Sequence, residues 1–476
     1  MLALPPRLSS LLPLLTLTLL LLLTFTLTTL PSIPSLQSLF PNPQTSPSLH
    51  LLLPATKPNP NLCKLLLTTH LLHYPTPILL GWAGAGAYNG SESHLFKIAA
   101  TLEYLKGLGR GAEEKGDLVL VLDAHDVWVQ LGPGVVISRY KRVLQKGMGE
   151  VVFGPDKVCW PEDERRAACW AAPEAGMGRA AFGPGTDAGD VKGVRPRWLN
   201  SGTVMGPAKG MRELFARTME VVRERFDEGY PFRNSDQFYF QEVWAEQEIG
   251  RRMLRDGRVE APVLRNGERG VVPGIKEGQR TEYGIALDYE SDMFQTATAY
   301  TGYLTWMSFN HSTPFVEQQY GGGLRRIDQV VLSPEILRSK PPFSGAGKKD
   351  NLPRSTKGWK DMMLGANMIT QQPFPVYHIT GEKSYRERWW PRMWFHPHAE
   401  ALLKVAKREA EKRGIRSRIV AKVDGISYFG ADSLIGNWNL PKGLGAWTDQ
   451  GEFLTWDELC GEYEDELFLR GKRKEA

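Results

Sequence analysis

The chain has 476 residues, with 58 Lys and Arg against 53 Asp and Glu, so its formal net charge is +5 at pH 7. That excess is too small to indicate a nucleic-acid-binding protein, and no nucleic acid partner is predicted. With 42% hydrophobic and 23% charged residues, the composition excludes a wholly disordered, a collagenous or a multi-span membrane protein. Four cysteines are too few for a disulfide scaffold, and none lies in the CxxC pair of a structural zinc site.

The amino terminus predicts one membrane anchor. Residues 11–30 hold twelve Leu and no charge, which is long enough to span a bilayer core, and Arg7 supplies a basic flank. We predict a cytosolic tail over 1–10 and a transmembrane signal-anchor over 11–30 in type II topology, so that the membrane is a partner through this segment. A cleaved signal peptide and a misplaced start codon are the alternatives.

The following segment predicts an extended stem. Residues 31–60 contain eight prolines, and no charged residue occurs from residue 8 to residue 56. Such a composition is typical of a linker, so we predict a Pro-rich stem over 31–65 with the folded part beginning after it. Sequons at Asn89 and Asn310 are consistent with a secretory location.

Past the stem, short apolar runs alternate with amphipathic stretches. The predicted strands are 77–82, 117–122, 150–153 and 203–206, and the predicted helices are 93–107, 209–228 and 236–248. This alternation predicts an α/β fold, a Rossmann-like mixed sheet with helices on both faces. Ligands of such sheets bind beyond the carboxyl ends of the strands.

Polar residues follow the predicted strand 117–122 directly. Asp123 and Asp126 are three residues apart in a turn, where two carboxylates can share one divalent cation such as Mg²⁺ or Mn²⁺ and leave positions open for a diphosphate. The alternative is a turn that caps the next element. Asn200 precedes a flexible glycine, Gly202, and Asp236 begins a predicted helix, either as a cap or as a site carboxylate.

Several residues and short segments are informative as a set, because of the order in which they occur along the chain. They are Trp82, Lys97, DLVLVLDAHDV at 117–127, VVFGPDKVCWP at 151–161, LNSGTVMG at 199–206, SDQFYF at 235–240, LDYESDMFQT at 287–296 and FPVYHITG at 374–381. Taken together, over about residues 77–395, they resemble the glycosyltransferase domain of the lysyl hydroxylase and procollagen glycosyltransferase group. The resemblance implies a nucleotide-sugar-binding GT-A fold over 66–400.

The resemblance also implies a set of site residues. Asp123, Asp126 and His378 would bind Mn²⁺ or another divalent cation together with the diphosphate of a UDP-sugar, and Asp236 would be the catalytic acidic residue. The residues implied for donor binding are Trp82, Lys97, His125, Trp160, Asn200 and Gly381. Gly381 also lets the backbone approach phosphate oxygens closely. From the residues alone, Cys159 and Cys169 could pair, with the other pairings equally permitted by counting, whereas the resemblance implies that Cys159 is a free thiol near the donor.

The chain departs from this family at three places. His125 replaces an aromatic residue that stacks on uracil, and Ser235 stands where relatives have a second acid. An insertion over about 314–372 argues against collagen hydroxylysine as the acceptor, because loops over a scaffold carry acceptor specificity. The tail contains no His-x-Asp iron motif, so lysyl hydroxylation is not predicted.

The carboxyl-terminal part predicts two features. Residues 401–476 read as a charged extension. The aromatic residues Trp389, Trp390, Trp394 and Phe395 either line an acceptor groove or pack against the sheet.

The sequence therefore predicts a luminal, Mn²⁺-dependent hexosyltransferase anchored in the Golgi or endoplasmic reticulum membrane. Its partners would be a UDP-sugar and a hydroxyl-bearing protein or glycan acceptor. A catalytically impaired nucleotide-sugar-binding or scaffolding module and a nucleotide-sugar hydrolase are the alternatives.

Overall fold

The computed structural model describes residues 45–88, 93–161, 163–309, 316–320, 323–327, 331–353, 357–413, 418–431 and 443–470. The predicted tail and anchor and both sequons lie outside these residues. Within the described part, no helix is both long enough and apolar enough to cross a bilayer. Residues from Pro47 onward form one compact unit.

The described residues form a mixed α/β structure. The strands are β1 (Ser48–Pro54), β2 (Ile78–Leu80), β3 (Leu118–Leu122), β4 (Val127–Val129), β5 (Val151–Asp156), β6 (Trp198–Pro207), β7 (Ile285–Leu287), β8 (Phe294–Thr296), β9 (Leu304–Met307), β10 (Val316–Tyr320), β11 (Gly323–Ile327), β12 (Leu364–Asn367), β13 (Gln372–Pro373), β14 (Val376–His378), β15 (Ile419–Val423), β16 (Ile426–Gly430), β17 (Gly445–Thr448) and β18 (Phe453–Thr455). The helices are α1 (Pro60–Leu71), α2 (Leu95–Lys115), α3 (Pro133–Leu144), α4 (Ala167–Trp170), α5 (Ala208–Arg225), α6 (Asp236–Asp256), α7 (Pro334–Arg338), α8 (Tyr385–Trp389), α9 (Ala399–Arg413), α10 (Trp456–Cys460) and α11 (Glu464–Leu467).

One ten-stranded sheet forms the centre of the molecule. Its main path runs β18-β17-β2-β1-β3-β6-β5-β7, and β16 joins it by pairing with β1. Strand β1 is parallel to β2 and β3, whereas β6 is antiparallel to both of its neighbours, β3 and β5. The carboxyl ends of β1, β2, β3 and β5 therefore meet at one edge of the sheet, which is where the strand-end rule places a site.

Both faces of this sheet are covered by helices. Along β3, Leu118, Leu120 and Leu122 belong to one buried cluster, together with residues of α1 and α3. Val119 and Val121 point into a second cluster, which includes residues of α2, α5 and α6. A strand that is buried on both sides in this way needs a continuous apolar sequence, and the run Leu118–Leu122 supplies it. The predicted mixed α/β sheet flanked by helices is thus confirmed.

A small second sheet lies against this edge. It consists of β4, β14 and β8, with β14 in the middle, antiparallel to β4 and parallel to β8. In its register, His378 at the end of β14 stands opposite Val127, the first residue of β4. This pairing brings His378, a residue from much later in the chain, beside the turn that follows β3.

The predicted stem is wrong from residue 48 onward. Ser48–Pro54 is β1, a completely buried strand between neighbours of the main sheet, and Pro60 opens the buried helix α1. An uncharged apolar run is the pattern of a central parallel strand as much as that of a linker, and its flanking prolines fit the strand ends. The folded unit therefore starts at Pro47 rather than near residue 65.

The prediction of a separate carboxyl-terminal extension is also wrong. Strand β17 pairs in parallel with β2, and a disulfide joins Cys460 to Cys63 in α1, 397 positions earlier. Lys404 of α9 and Asp465 of α11, which belong to the charged runs that suggested an extension, are exposed. These elements still contribute Leu403 and Leu467 to the core.

The predicted insertion over 314–372 is partly integrated into the fold. Strand β12 pairs with β9, and its Leu364 and Ala366 are fully buried. The aromatic segment that follows is core: Trp389, Trp390, Trp394 and Phe395 are all less than a tenth exposed. Packing, rather than an open groove, is confirmed for these four side chains. Cys159 is bonded to Cys169, so the predicted free thiol is wrong.

Candidate metal-binding site

The turn after β3 places two carboxylates at the edge of the sheet. The backbone N–H of Asp123 donates to the carbonyl of Gly202 at 2.8 Å, which continues the β3–β6 pairing by one residue beyond Leu122. Three residues later, the carbonyl of Asp126 accepts a hydrogen bond from the N–H of Ile379 at 2.8 Å. Each aspartate is therefore held through its backbone by a neighbouring strand, and both side chains remain partly open to solvent.

His378 completes a group of three ligands with these carboxylates. Its Nε2 lies 3.3 Å from Oδ1 of Asp126, and one ligand atom each from Asp123, Asp126 and His378 all fall within 4.8 Å of one another. Two hard carboxylate oxygens and one imidazole nitrogen suit a divalent cation such as Mn²⁺. This Asp–Asp–His triad is the group that the sequence predicted.

Gly202 forms the floor beneath the triad. A Cβ atom at this position would lie 2.1 Å from Cε1 of His378 and 2.8 Å from Oδ2 of Asp123. No side chain fits there, so the glycine in β6 is needed to leave room for the two ligands. Because Gly202 has no side chain, the space beside the three ligands stays free of protein atoms, which is compatible with a metal-binding site.

A buried lysine supports the triad from the other side. Nζ of Lys97, in the first turn of α2, lies 2.7 Å from Oδ1 of Asp123 and 2.8 Å from Oδ2 of Asp236, and it donates to the carbonyl of Ser201 at 2.8 Å. Burial alone would lower the pKa of Lys97, but the two carboxylates raise it above its ordinary value. The ammonium group therefore stays charged, hydrogen-bonded to Asp123 and to the carbonyl of Ser201 and ion-paired with Asp236.

Asp236 is engaged in this ion pair. It is the first residue of α6, and the hydroxyl of Ser235 caps the helix by accepting from the N–H of Phe238 at 3.4 Å. Burial would raise the pKa of Asp236, but Lys97 holds it below the usual range. Ser235 thus acts as a helix cap, and Asp236 beside it is ionised.

Replacing Lys97 by Met is expected to lower the free energy of unfolding by about 3–5 kcal/mol, because it leaves the buried carboxylate of Asp236 without its countercharge. Urea denaturation at neutral pH measures the loss. Lys106→Met is the matched control, because Lys106 pairs with Glu103 at 2.7 Å on the exposed face of the same helix and should cost less than about 1 kcal/mol. A loss in Lys97→Met no larger than the control's would contradict this role.

Cationic side chains lie beside the triad in the segment that follows β14. The ammonium group of Lys383 contacts Oδ2 of Asp126 and donates to the carbonyl of Ile379 at 2.8 Å. Burial would raise the pKa of Asp126, but His378 and Lys383 outweigh it and hold the pKa well below the usual range. Arg386 donates to the carbonyl of His125 at 3.2 Å. The site therefore combines anionic ligands with positive charge at its rim.

A further carboxylate, that of Asp156, comes from the end of β5. Oδ2 of Asp156 accepts from the amide of Asn200 at 3.3 Å, and Oδ1 of Asn200 accepts from the N–H of Gly202 at 3.0 Å. The predicted site residue Asn200 thus connects Asp156 to the glycine beneath the triad. Burial raises the pKa of Asp156 from 3.8 to about 6, against the hydrogen bonds from the N–H of Lys157 and from Asn200.

This pKa makes stability depend on pH with a defined sign. Between pH 4 and 6 the unfolded chain ionises Asp156 while the folded chain keeps it protonated, so stability falls as pH rises through that window. Asp156→Asn does not ionise, so its free energy of unfolding relative to wild type should improve by up to about 3 kcal/mol between pH 4 and pH 7. Denaturant titrations at both pH values measure the change. Asp457→Asn, at a side chain that is 77% exposed, should show little change between the two pH values. If the free-energy difference between Asp156→Asn and wild type is the same at both pH values, the raised pKa of Asp156 is refuted.

The remaining predicted residues lie around this centre. Trp82 follows β2, and its turn is tied to the end of β1, because the N–H of Ala83 donates to the carbonyl of Thr56 at 2.9 Å. His125 is exposed between the two aspartates. Gly381 has a φ of +68°, a conformation that favours glycine, three residues after His378.

Trp160, which was predicted to bind the donor, is connected to the triad only indirectly. Its side chain is 42% exposed and packs edge-to-face on Phe232 with ring centroids 5.3 Å apart. The connection to the site runs through Gln237, whose amide donates to the carbonyl of Trp160 at 2.9 Å and accepts from the N–H of Ser201 at 3.2 Å. Trp160 therefore lies at the rim of the site rather than beside the ligands.

Sequence reasoning missed Lys383, Arg386 and Asp156. Asp156 ends a strand whose carboxyl end lies at the site edge, so the rule that selected Asp123 could have found it. Lys383 follows His378 by five residues in the same segment, and this short separation from a predicted metal ligand was the available signal. The turn at Thr56 was also missed, because residues 31–65 had been predicted to be a stem.

No protein-family model matches this chain, and no curated protein sequence matches it.

Proposed function

We propose that this chain is a divalent-cation-dependent glycosyltransferase of GT-A fold, which moves a hexose from a UDP-sugar to a hydroxyl group of a protein or glycan in the secretory pathway. The observation that carries the proposal is the Asp123, Asp126 and His378 triad at the carboxyl-end edge of a mixed sheet. The ordered segments that resemble the lysyl hydroxylase and procollagen glycosyltransferase group support it.

The triad would hold Mn²⁺ or a similar cation, which supplies positive charge to offset the charge developing on a leaving diphosphate. Lys383 and Arg386 stand at the same rim, where an ammonium and a guanidinium group can pair with phosphate oxygens. The positive φ of Gly381 lets the backbone approach those oxygens closely. These groups favour an anionic diphosphate donor over a neutral sugar.

The role of Asp236 in this proposal is to orient the acceptor. A general base works best when its pKa lies near the working pH, whereas Lys97 holds the pKa of Asp236 below its usual range. The carboxylate is therefore a weak base, and it serves as a fixed hydrogen-bond acceptor for a hydroxyl group. His125, exposed between the aspartates, is the side chain that could stack on a base.

The ion pairs of Lys97 favour a second candidate function, that of a luminal nucleotide-sugar-binding module without transfer activity. Lys97 engages both Asp123 and Asp236 in the protein itself, which leaves fewer free acceptors for a substrate. Such a module would bind a nucleotide sugar and a metal but release no UDP.

The proposal is tested by UDP release from a panel of UDP-sugars, with Mn²⁺ and after chelation. We expect one donor to react, only with metal, and faster when a hydroxyl acceptor is added. Asp123→Asn should abolish the reaction, and Glu260→Gln, at a carboxylate that is 74% exposed, should preserve it.

Each of the other possible outcomes of this assay would indicate a different conclusion. Metal-dependent nucleotide binding without UDP release selects the binding module, and free sugar released without any acceptor dependence selects a hydrolase. Neither binding nor release with any UDP-sugar would overturn the proposal.

A further inference from the structure

The proton of the acceptor hydroxyl needs a base other than Asp236. The ion pair with Lys97 holds the pKa of Asp236 below its usual range, which makes this carboxylate a weak base. A direct displacement at the sugar requires a base, because the attacking oxygen must lose its proton as the new bond forms. A neighbouring side chain must therefore receive this proton.

His94 lies beside Asp236 at the start of α2. Its Nδ1 is 4.0 Å from Oδ1 of Asp236, whereas the other carboxylate oxygen, Oδ2, faces Lys97, and the His94 side chain is 76% exposed. The backbone holds this arrangement, because the N–H of His94 donates to the carbonyl of Asn234 at 3.0 Å. That hydrogen bond joins the residue before α2 to the segment that opens α6.

The contact with Asp236 leaves one imidazole nitrogen for a substrate. When Nδ1 is directed at a carboxylate, the proton of a neutral imidazole is favoured on Nδ1, and Nε2 keeps its lone pair. Among the described residues, the His94 side chain forms no other ion pair or hydrogen bond. A histidine oriented by a carboxylate is a recurrent general base for hydroxyl groups. Such contacts are often long without substrate and shorten when it binds.

His94 is also close to the candidate metal site. Nζ of Lys97 contacts both Asp236 and the predicted metal ligand Asp123, so a single ammonium group separates the carboxylate beside His94 from the triad. The charge of His94 also acts on His125, in the turn that carries the two aspartates of the triad. An acceptor hydroxyl between His94 and a metal-bound donor would therefore reach both.

We propose that His94 is the general base of the transfer, an inference that rests on the proposed function. The oxygen of the acceptor hydroxyl bonds to the anomeric carbon of the sugar, and the bond from that carbon to the diphosphate breaks with its electron pair on UDP. The hydroxyl proton passes to Nε2 of His94, and the exposed imidazolium then returns it to solvent. Asp236 orients the acceptor at two points, through its own contact with one hydroxyl group and through the imidazole that receives the reacting one.

Transfer by the full chain from UDP-hexoses to methyl glycosides, at saturating Mn²⁺, tests this role. We expect His94→Ala to lower kcat about a hundredfold or more and to leave the affinities for Mn²⁺ and UDP unchanged. His94→Gln can still form a hydrogen bond but cannot accept a proton, so it should lose as much. Added imidazole should restore part of the activity of His94→Ala, because the exposed position admits the free base.

Glu103→Gln, at a side chain that is 72% exposed on the same helix, is the control and should keep full activity. A displacement assisted by a base inverts the anomeric configuration, which NMR of the product reports. The proposal is overturned if His94→Ala or His94→Gln turns over like wild type, if imidazole restores no activity, if Mn²⁺ or UDP affinity falls with kcat, or if the configuration is retained. In these cases the wild type still reacts, whereas a wild type without turnover overturns the proposed function as well, so the two failures are distinguishable.

Discussion

Replacing Asp126 by Asn is expected to weaken divalent-cation binding, and any turnover that depends on the cation, by roughly a hundredfold or more. Even the outer partners of metal ligands are typically worth about 10–100-fold in affinity, and Asp126 belongs to the triad itself. Asn keeps the shape of the side chain but removes one of the two anionic ligands. It also removes the countercharge of Lys383.

The measurement is a titration with Mn²⁺, followed calorimetrically or by the shift in melting temperature that ligand binding produces. Asp424→Asn is the matched control, because Asp424 also pairs with a lysine, Lys141 at 3.1 Å, but with a side chain that is 73% exposed. Equal Mn²⁺ affinity in the wild type and in Asp126→Asn would show that the triad is not the metal site.

A single methyl group at Gly202 should damage the same site through shape alone. The Cβ of Gly202→Ala would lie 2.1 Å from Cε1 of His378, so the imidazole ring or β6 must move. A displacement of about 1 Å at a functional group can cost roughly 10²-fold in activity, and we expect a loss of that size in Mn²⁺ affinity. Overpacking should also lower the free energy of unfolding by about 1–3 kcal/mol.

Gly111→Ala serves as the control for this substitution. Gly111 lies on the exposed side of α2, where an added Cβ meets no atom within 4 Å, so Ala should be neutral or slightly stabilising. Comparison of Mn²⁺ affinity and urea denaturation in the two variants separates the local clash from a general effect of losing a glycine. Undiminished Mn²⁺ affinity in Gly202→Ala would mean that the triad does not need this space.

The strand-end pattern was enough to predict much of the site. An apolar run that is buried on both faces must end where it reaches solvent, so Asp123 and Asp126 after Leu122 had to lie at the sheet edge. That inference needs only the local sequence and the geometry of parallel strands. His378 was selected through the family resemblance, and the structure places it 3.3 Å from Asp126.

The stem assignment failed because composition is averaged over a window. Eight prolines in residues 31–60 suggested a linker, yet seven consecutive residues, Ser48–Pro54, form the buried strand β1. What distinguishes the two is whether neighbouring strands lie on both sides, and those neighbours are β2, β3 and β16, which come later in the chain. The carboxyl-terminal prediction failed for the same reason, because β17 pairs with β2.

The sequence by itself determined the α/β alternation, the apolar strands and the acidic residues at their ends, because each of these depends on side chains within a few positions of one another. Only the tertiary structure decided that Lys97 bridges Asp123 and Asp236, that Lys383 contacts Asp126 and that Gly202 leaves room for His378. These contacts join residues 26 to 257 positions apart. No local pattern encodes such distances, because strand order and register, rather than propensity, bring those side chains together.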